Sequence, residues 1–129
     1  MVWLCLDTHI PGQTRLGLLG ESGWIEYIET EGRAPRVLTT IAAYHRNKEQ
    51  SIKGVCVVEG PGSFSAIRIG VLYANLYARL EHLPLVPVGP QQFQDPVALF
   101  RDLEQQRFQA VPYVAPVYDQ EPNITIPKS

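Results

Sequence analysis

Basic residues are scarce and scattered: 11 Lys and Arg stand against 13 Asp and Glu in 129 residues, a formal net charge of −2. No Lys/Arg block exists to neutralise phosphates, so the chain is not expected to hold nucleic acid unaided. Cysteine is as sparse. Cys5 and Cys56 each sit inside an apolar strand-like run, the setting of a small buried thiol rather than of a disulfide, which fits a reducing compartment. No two histidines and no two cysteines are three to five residues apart, as the common zinc pairs require, and no metal or cofactor is expected. Long apolar runs are lacking too. The opening "MVWLCLDTH" is apolar for only five residues after Met1 and has no basic flank, so it is expected to be neither a signal peptide nor a membrane span. These absences give the expectation of a soluble cytoplasmic protein forming one compact domain.

What is present alternates in character along the chain. Residues 2–7, 15–20 and 23–28 are strand candidates, and the last two are separated only by "ESG", which is hairpin chemistry and implies an antiparallel start. Pro35 then opens a helical pattern over 35–46, with Val37, Leu38, Ile41, Ala42 and His45 recurring at three and four. "IKGVCVVE" is a continuous apolar run, as in a strand covered on both faces. A second helix is predicted over 65–81, a short strand at "LPLVPV", and a weaker helix over 96–106. The tail, with four prolines in its last eighteen residues, reads as extended, an edge strand with a loose end. The order strand, strand, strand, helix, strand, helix, strand, helix predicts an α/β fold. It is the plan of a ribonuclease-H-like lobe, the half-unit of actin-like proteins: a mixed five-stranded sheet, three antiparallel strands first and helices in right-handed crossovers.

The stretch "VVEGPGSFSAIRIG" between the fourth strand and the second helix is the strongest local signal. A Walker loop needs a lysine that "GPGSFSA" lacks. In a dinucleotide fingerprint Ser65 occupies the place of the third glycine, and no acid ends the next strand. The spacing is not that of a nucleophile elbow, and His9, His45 and His82 carry no distinguishing context; Asp7 stands two before His9. The mechanical reading remains. Gly60 and Gly62 permit a tight path, Pro61 stiffens it, and Ser63 or Ser65 caps the helix.

At 100° per residue, Arg68, Asn75 and Arg79 share a narrow polar stripe on that helix. Ile69, Tyr73, Leu76 and Leu80 form a bulky face. Ala66, Gly70, Ala74 and Ala78 form a ladder of small residues that lets another surface approach closely. That surface is either a neighbouring helix of the same domain or another chain.

"GVCVVEGPGSFSAIRIGVLYANLYARLEHLPLVPV" resembles the signature of the TsaB (YeaZ) family, usually written GPGSFTGLRIG. The opening "WLCLDTH" followed by "RLGLLG" resembles that family's first strand, Asp-Thr-Ser turn and second strand, and "APVYDQEPNITIPKS" resembles its C-termini of the form P-V-Y-L-R-x-P. The likeness departs in places. Ser65, Ala66 and Ile67 stand for Thr, Gly and Leu; Ala34, Pro35 and Arg36 stand where His-Ser-Glu often opens the first helix; and residues 90–110 replace most of a second lobe. The layout implied is a lobe over 1–90, with 91–129 as the remnant of the second lobe and an extended tail.

The resemblance implies a non-catalytic scaffold subunit in bacterial synthesis of threonylcarbamoyladenosine in tRNA. It implies binding to the related TsaD subunit through the first two helices, at Val37, Ile41, Tyr44, Ile67, Gly70, Val71, Ala74 and Ala78. TsaD transfers the threonylcarbamoyl group from an adenylate to the adenosine beside the anticodon, and a TsaE-like ATPase completes the assembly. The chain would meet tRNA only indirectly, pair with itself when alone and need no membrane. The turn Gly60, Pro61, Gly62, Ser63, Phe64, Ser65 and Arg68 would position the recognition helix. An enzyme reading stands beside this one: a small nucleotide-binding or hydrolytic actin-like protein using Asp7 and Thr8, where actin-like proteins touch phosphate. A self-associating remnant without a partner is the third.

Overall fold

The computed structural model describes residues 2–31, 51–62 and 64–118. The helix predicted over 35–46 lies outside the described residues, as does the end of the tail. Five strands form one mixed sheet in the order β3-β2-β1-β4-β5, with β1 (Val2–Asp7), β2 (Gln13–Gly20), β3 (Gly23–Glu31), β4 (Ile52–Val58) and β5 (Leu85–Val88). The first three strands form an antiparallel meander, and β4 and β5 run parallel to β1. The expected architecture is therefore the observed one. Helix α1 (Phe64–Leu80) joins β4 to β5, and a 3-10 turn (Pro90–Gln94) leads into α2 (Pro96–Glu104).

β1 lies between β2 and β4 and is buried at all six positions, because each face of the sheet has its own cover. Alternation sorts its residues. Val2, Leu4 and Leu6 join Leu16, Leu18, Val55, Val57 and Leu85 beneath α1. Trp3 and Cys5 join Leu19, Cys56, Val58, Val86 and Val88 on the other face, beneath Phe93 of the 3-10 turn and Leu99 and Leu103 of α2. The apolar runs at 2–6 and 54–58 are unbroken because both alternating sets are inside. β2 begins two residues before the predicted position and β3 runs three beyond it, with a bulge at Leu18/Leu19. The bulge leaves Ile25 as the extra residue, half exposed at the edge.

The start of α2 is written locally. Asp95 accepts a hydrogen bond from Ala98 N at 3.2 Å, and Pro96 occupies the first turn, where no donor is needed. The helix ends two residues before the predicted Gln106, which takes a left-handed φ of 56° in the turn that follows. Beyond it the chain forms a strap over 111–118 rather than a continuous edge strand. Val111 N donates to Leu85 O at 2.8 Å at the sheet edge, Val114 is buried beside α1, and Val117 N donates to Glu59 O at 2.7 Å. Prolines at 112 and 116 remove donors that a full ladder would need, so pairing is confined to isolated bridges. No helix among the described residues is long and apolar enough to cross a membrane.

Candidate functional site

The glycine turn lies at the C-terminal ends of β1 and β4, the end of a parallel sheet where binding crevices form. Its glycines answer to chain crossings. Gly60 has a φ of 125°, and a Cβ there would land on the carbonyl oxygen of Val117 in the strap. A Cβ on Gly62 would press on the backbone of His9, while Gly62 N donates to Val117 O at 3.2 Å. The turn thus gathers the end of β1, the start of α1 and the strap at one point. Pro61 is exposed, Ser63 lies outside the described residues, and Arg68 is exposed on the first turns of α1.

The partner face assigned on α1 needs correction. Ile67, Val71, Ala74 and Ala78 are no more than 4% exposed, and Gly70 is buried with them. All five lie on the side of the helix covered by β1, β4 and β5, so none presents a side chain to another chain. The physical reason is backbone approach: small residues at 70, 74 and 78 let the helix axis settle close to the sheet. Gly70 is the tightest point, where a Cβ would collide with the Thr8 side chain. Among the described residues it is the sheet that covers the ladder. Val37, Ile41 and Tyr44 lie outside the described residues.

The outer pole of α1 carries the bulk. Leu72, Leu76 and Leu80 are 53%, 47% and 75% exposed, spaced by four along one stripe, with Ile69 and Tyr73 half-buried at its margin. Leu72 was missed by the sequence reading because bulk was assigned to one face and closeness to another; treating the small ladder as the inner face would have found it. In the polar stripe Arg79 is exposed, and Asn75 turns sideways to the strap. Its amide Nδ2 donates to Val114 O and its Oδ1 accepts from Val114 N, both at 2.9 Å.

At the end of β1, Asp7 is 1% exposed. Its Oδ1 accepts from His9 N at 2.9 Å and from His9 Nδ1 at 2.6 Å, while Arg15 Nη1 lies 4.0 Å from Oδ2. Glu29 stands 3.4 Å from Arg15 Nε on the neighbouring strand. His9 from the β1–β2 connection and Arg15 from β2 therefore flank the buried carboxyl group. Asp7 Oδ2 and Thr8 Oγ1 are buried with no hydrogen-bond partner. No group of three or more His, Cys, Asp or Glu able to hold a metal exists among the described residues. The Asp7–His9 pairing went unread because a spacing of two offers no helical or zinc geometry. It arises only because the chain leaves β1 and doubles back.

On the far face, Cys5 and Cys56 are free thiols, in register across β1 and β4 and fully buried. Burial, with the neighbouring Cys56, pushes the Cys5 thiol well above its usual range, so both behave as small core residues. A cleft of about 570 Å³ opens beside them, lined by Trp3, Lys53, Val86 and Phe108 among others. At its rim Glu104 accepts from Lys53 Nζ at 2.7 Å and from Trp3 Nε1 at 3.0 Å, and these two donors, Lys53 first, hold its carboxyl below the usual range.

Comparison with known proteins locates this arrangement. Residues 31–93 match the family model described as TsaD, tRNA N6-adenosine threonylcarbamoyltransferase. Among solved structures, YeaZ from Pseudomonas aeruginosa superposes with a TM-score of 0.58 at 20% identity, covering 68% of this chain and 43% of that one. A second P. aeruginosa structure, of an uncharacterized protein with similarity to peptidase YeaZ, gives 0.55 at 19% identity, covering 82% and 49%. T. thermophilus RuvC in complex with a Holliday junction substrate gives 0.51 at 21% identity, covering 79% and 76%. No curated protein sequence matches. At these identities the structural likeness establishes the fold, which is ribonuclease-H-like, and the chain spans less than half the length of the two YeaZ-type structures.

Proposed function

From the TsaB-like character supported by the YeaZ structures and the TsaD family match, we propose that this chain is a non-catalytic docking subunit for a TsaD-like transferase in the synthesis of threonylcarbamoyladenosine in tRNA. A TsaE-like ATPase would join the larger assembly, and tRNA would be met through the partner. The observation that carries this reading is the leucine stripe on α1. A helix that has already buried its small-residue face against the sheet leaves Leu72, Leu76 and Leu80 without an apolar cover among the described residues, and such a face is covered when another helix is laid along it.

The test is binding of the full chain to the TsaD-like subunit of the same source. Leu76→Asp, at the centre of the stripe, is expected to weaken it about tenfold or more, and Leu80→Asp, at its C-terminal end, to weaken it less. As surface changes they leave stability within about 0.5 kcal/mol. Undiminished affinity in the folded variants refutes the docking face. Alone, two copies are expected to pair through the same stripe by two-fold symmetry. Sedimentation should then show a concentration-dependent dimer that Leu76→Asp removes.

A second reading draws on the unpartnered buried oxygens of Asp7 and Thr8, which mark a polar niche for a nucleotide phosphate or a hydrolytic water. The expected result is nonetheless no turnover of ATP by the purified chain. Asp7 is held by His9 and faced by Arg15, and no second carboxylate or metal cluster joins it among the described residues. ATP hydrolysis abolished by Asp7→Ala would overturn the docking-only reading and establish the enzyme.

A further inference from the structure

The strap over 111–118 occupies a groove that is built to its shape. The N–H and C=O of Val114 are both read by the Asn75 amide at 2.9 Å, its side chain is buried in the core beneath α1, and Val117 is paired to Glu59 O and Gly62 N at 2.7 and 3.2 Å. The missing Cβ of Gly60 makes room for the Val117 carbonyl. Yet the strap contributes one fully buried side chain, and Pro112, Tyr113, Ala115 and Val117 beside it are partly or wholly exposed.

The connection from α2 to this strap is the second observation. Residues 105–110 are exposed except for a half-buried Phe108, and they fold back through a tight turn in which Gln106 holds a left-handed φ of 56°. A residue with a Cβ is disfavoured there, and nothing in the turn requires glycine's absence. Gln106 N and Arg107 N donate to Leu103 O and Asp102 O, so the turn is a closed hinge under backbone strain. Straightening relieves the strain and carries the strap away from its own groove.

We propose that the strap is exchangeable: when two chains meet, residues 111–118 of one seat in the identical groove of a second copy, with the Asn75 clamp, Val114 pocket and Gly60 notch filled in trans. Every contact of the strap is preserved in the exchanged pair, and only the hinge changes, which is the condition for domain swapping. The occupant is a second copy because the groove reads this strap residue by residue.

Two tagged forms of the full chain test this, one carrying Glu59→Cys and the other Val117→Cys. Both carry Leu76→Asp, so that pairing through the α1 stripe is removed and failure of the docking reading cannot imitate failure of this one. The native thiols are buried and stay out of the reaction. After mixing at high concentration, a short bismaleimide is expected to join the two tags. Gln106→Gly, which accepts the left-handed turn without cost, should lower the cross-chain yield about tenfold. Gln106→Pro, whose φ is fixed near −65°, forbids the closed hinge and should raise it. A chain bearing both cysteines reports the seated strap by internal bridging. Internal bridging with no cross-chain product in the mixture, or a cross-chain yield indifferent to both Gln106 variants, overturns the proposal.

Discussion

Replacing Gly60 with Ala is expected to be the most damaging single-methyl change in the described chain, lowering stability by about 3 kcal/mol or more. Two effects add. At a φ of 125° a side chain is strained wherever it points, a cost of roughly 1–3 kcal/mol. The new methyl also meets the carbonyl of Val117, a backbone atom that cannot rotate aside, so the strap must leave. Its departure opens the Val114 site and strips the Asn75 amide of both its hydrogen bonds to Val114. Denaturant unfolding gives the magnitude, and amide exchange gives the mechanism, because the Val117 N–H should lose protection while the Val55 N–H in β4 keeps it at the reduced global level. A variant with normal stability and a protected Val117 would mean that the turn can be rebuilt around a side chain.

Ala74→Leu follows, with an expected loss of about 1–3 kcal/mol and a melting temperature lower by several degrees. Ala74 is 1% exposed in the core beneath α1, so a leucine there must lift the helix off β1 and β4 or distort the strands beneath. Binding to a TsaD-like partner, measured on the folded fraction, should be retained, because the leucine stripe points the other way. The opposite pattern, full stability with binding lost, would return the ladder to the partner face.

These two positions show what the residues alone disclosed. The sheet was legible because β1 and β4 are central and covered on both faces, which leaves unbroken apolar runs, and because "ESG" between β2 and β3 is hairpin chemistry. The glycine turn was legible as a positioning device, yet what each glycine makes way for was not. Val117 and His9 reach Gly60 and Gly62 from far along the chain, one from ahead and one from behind. The inner face of α1 was misassigned because a ladder of small residues satisfies two arrangements equally, close approach to a sheet and close approach to a partner. Only the positions of β1, β4 and β5 decide between them. The 3-10 turn at Pro90–Gln94 went unread, and the strap was legible only as an extended tail, for a shared reason. Their stabilising contacts are mostly backbone groups and single anchors, such as Phe93 and Val114, which carry no period.

The order β3-β2-β1-β4-β5 also dictates how the molecule is completed as it leaves the ribosome. The meander of β1, β2 and β3 closes through local turns and is available once Glu31 has emerged. Its β1 edge then stays unpaired until Ile52–Val58 is synthesised, and α1, which covers that side of the sheet, follows later still. The nascent chain therefore passes through a stage in which a strand that is apolar from Val2 to Leu6 is open along one edge and on both faces, the interval in which a trigger-type chaperone or premature self-association has its opportunity. Among the described residues the Val114 site is covered later again, after β5 and α2 have been made.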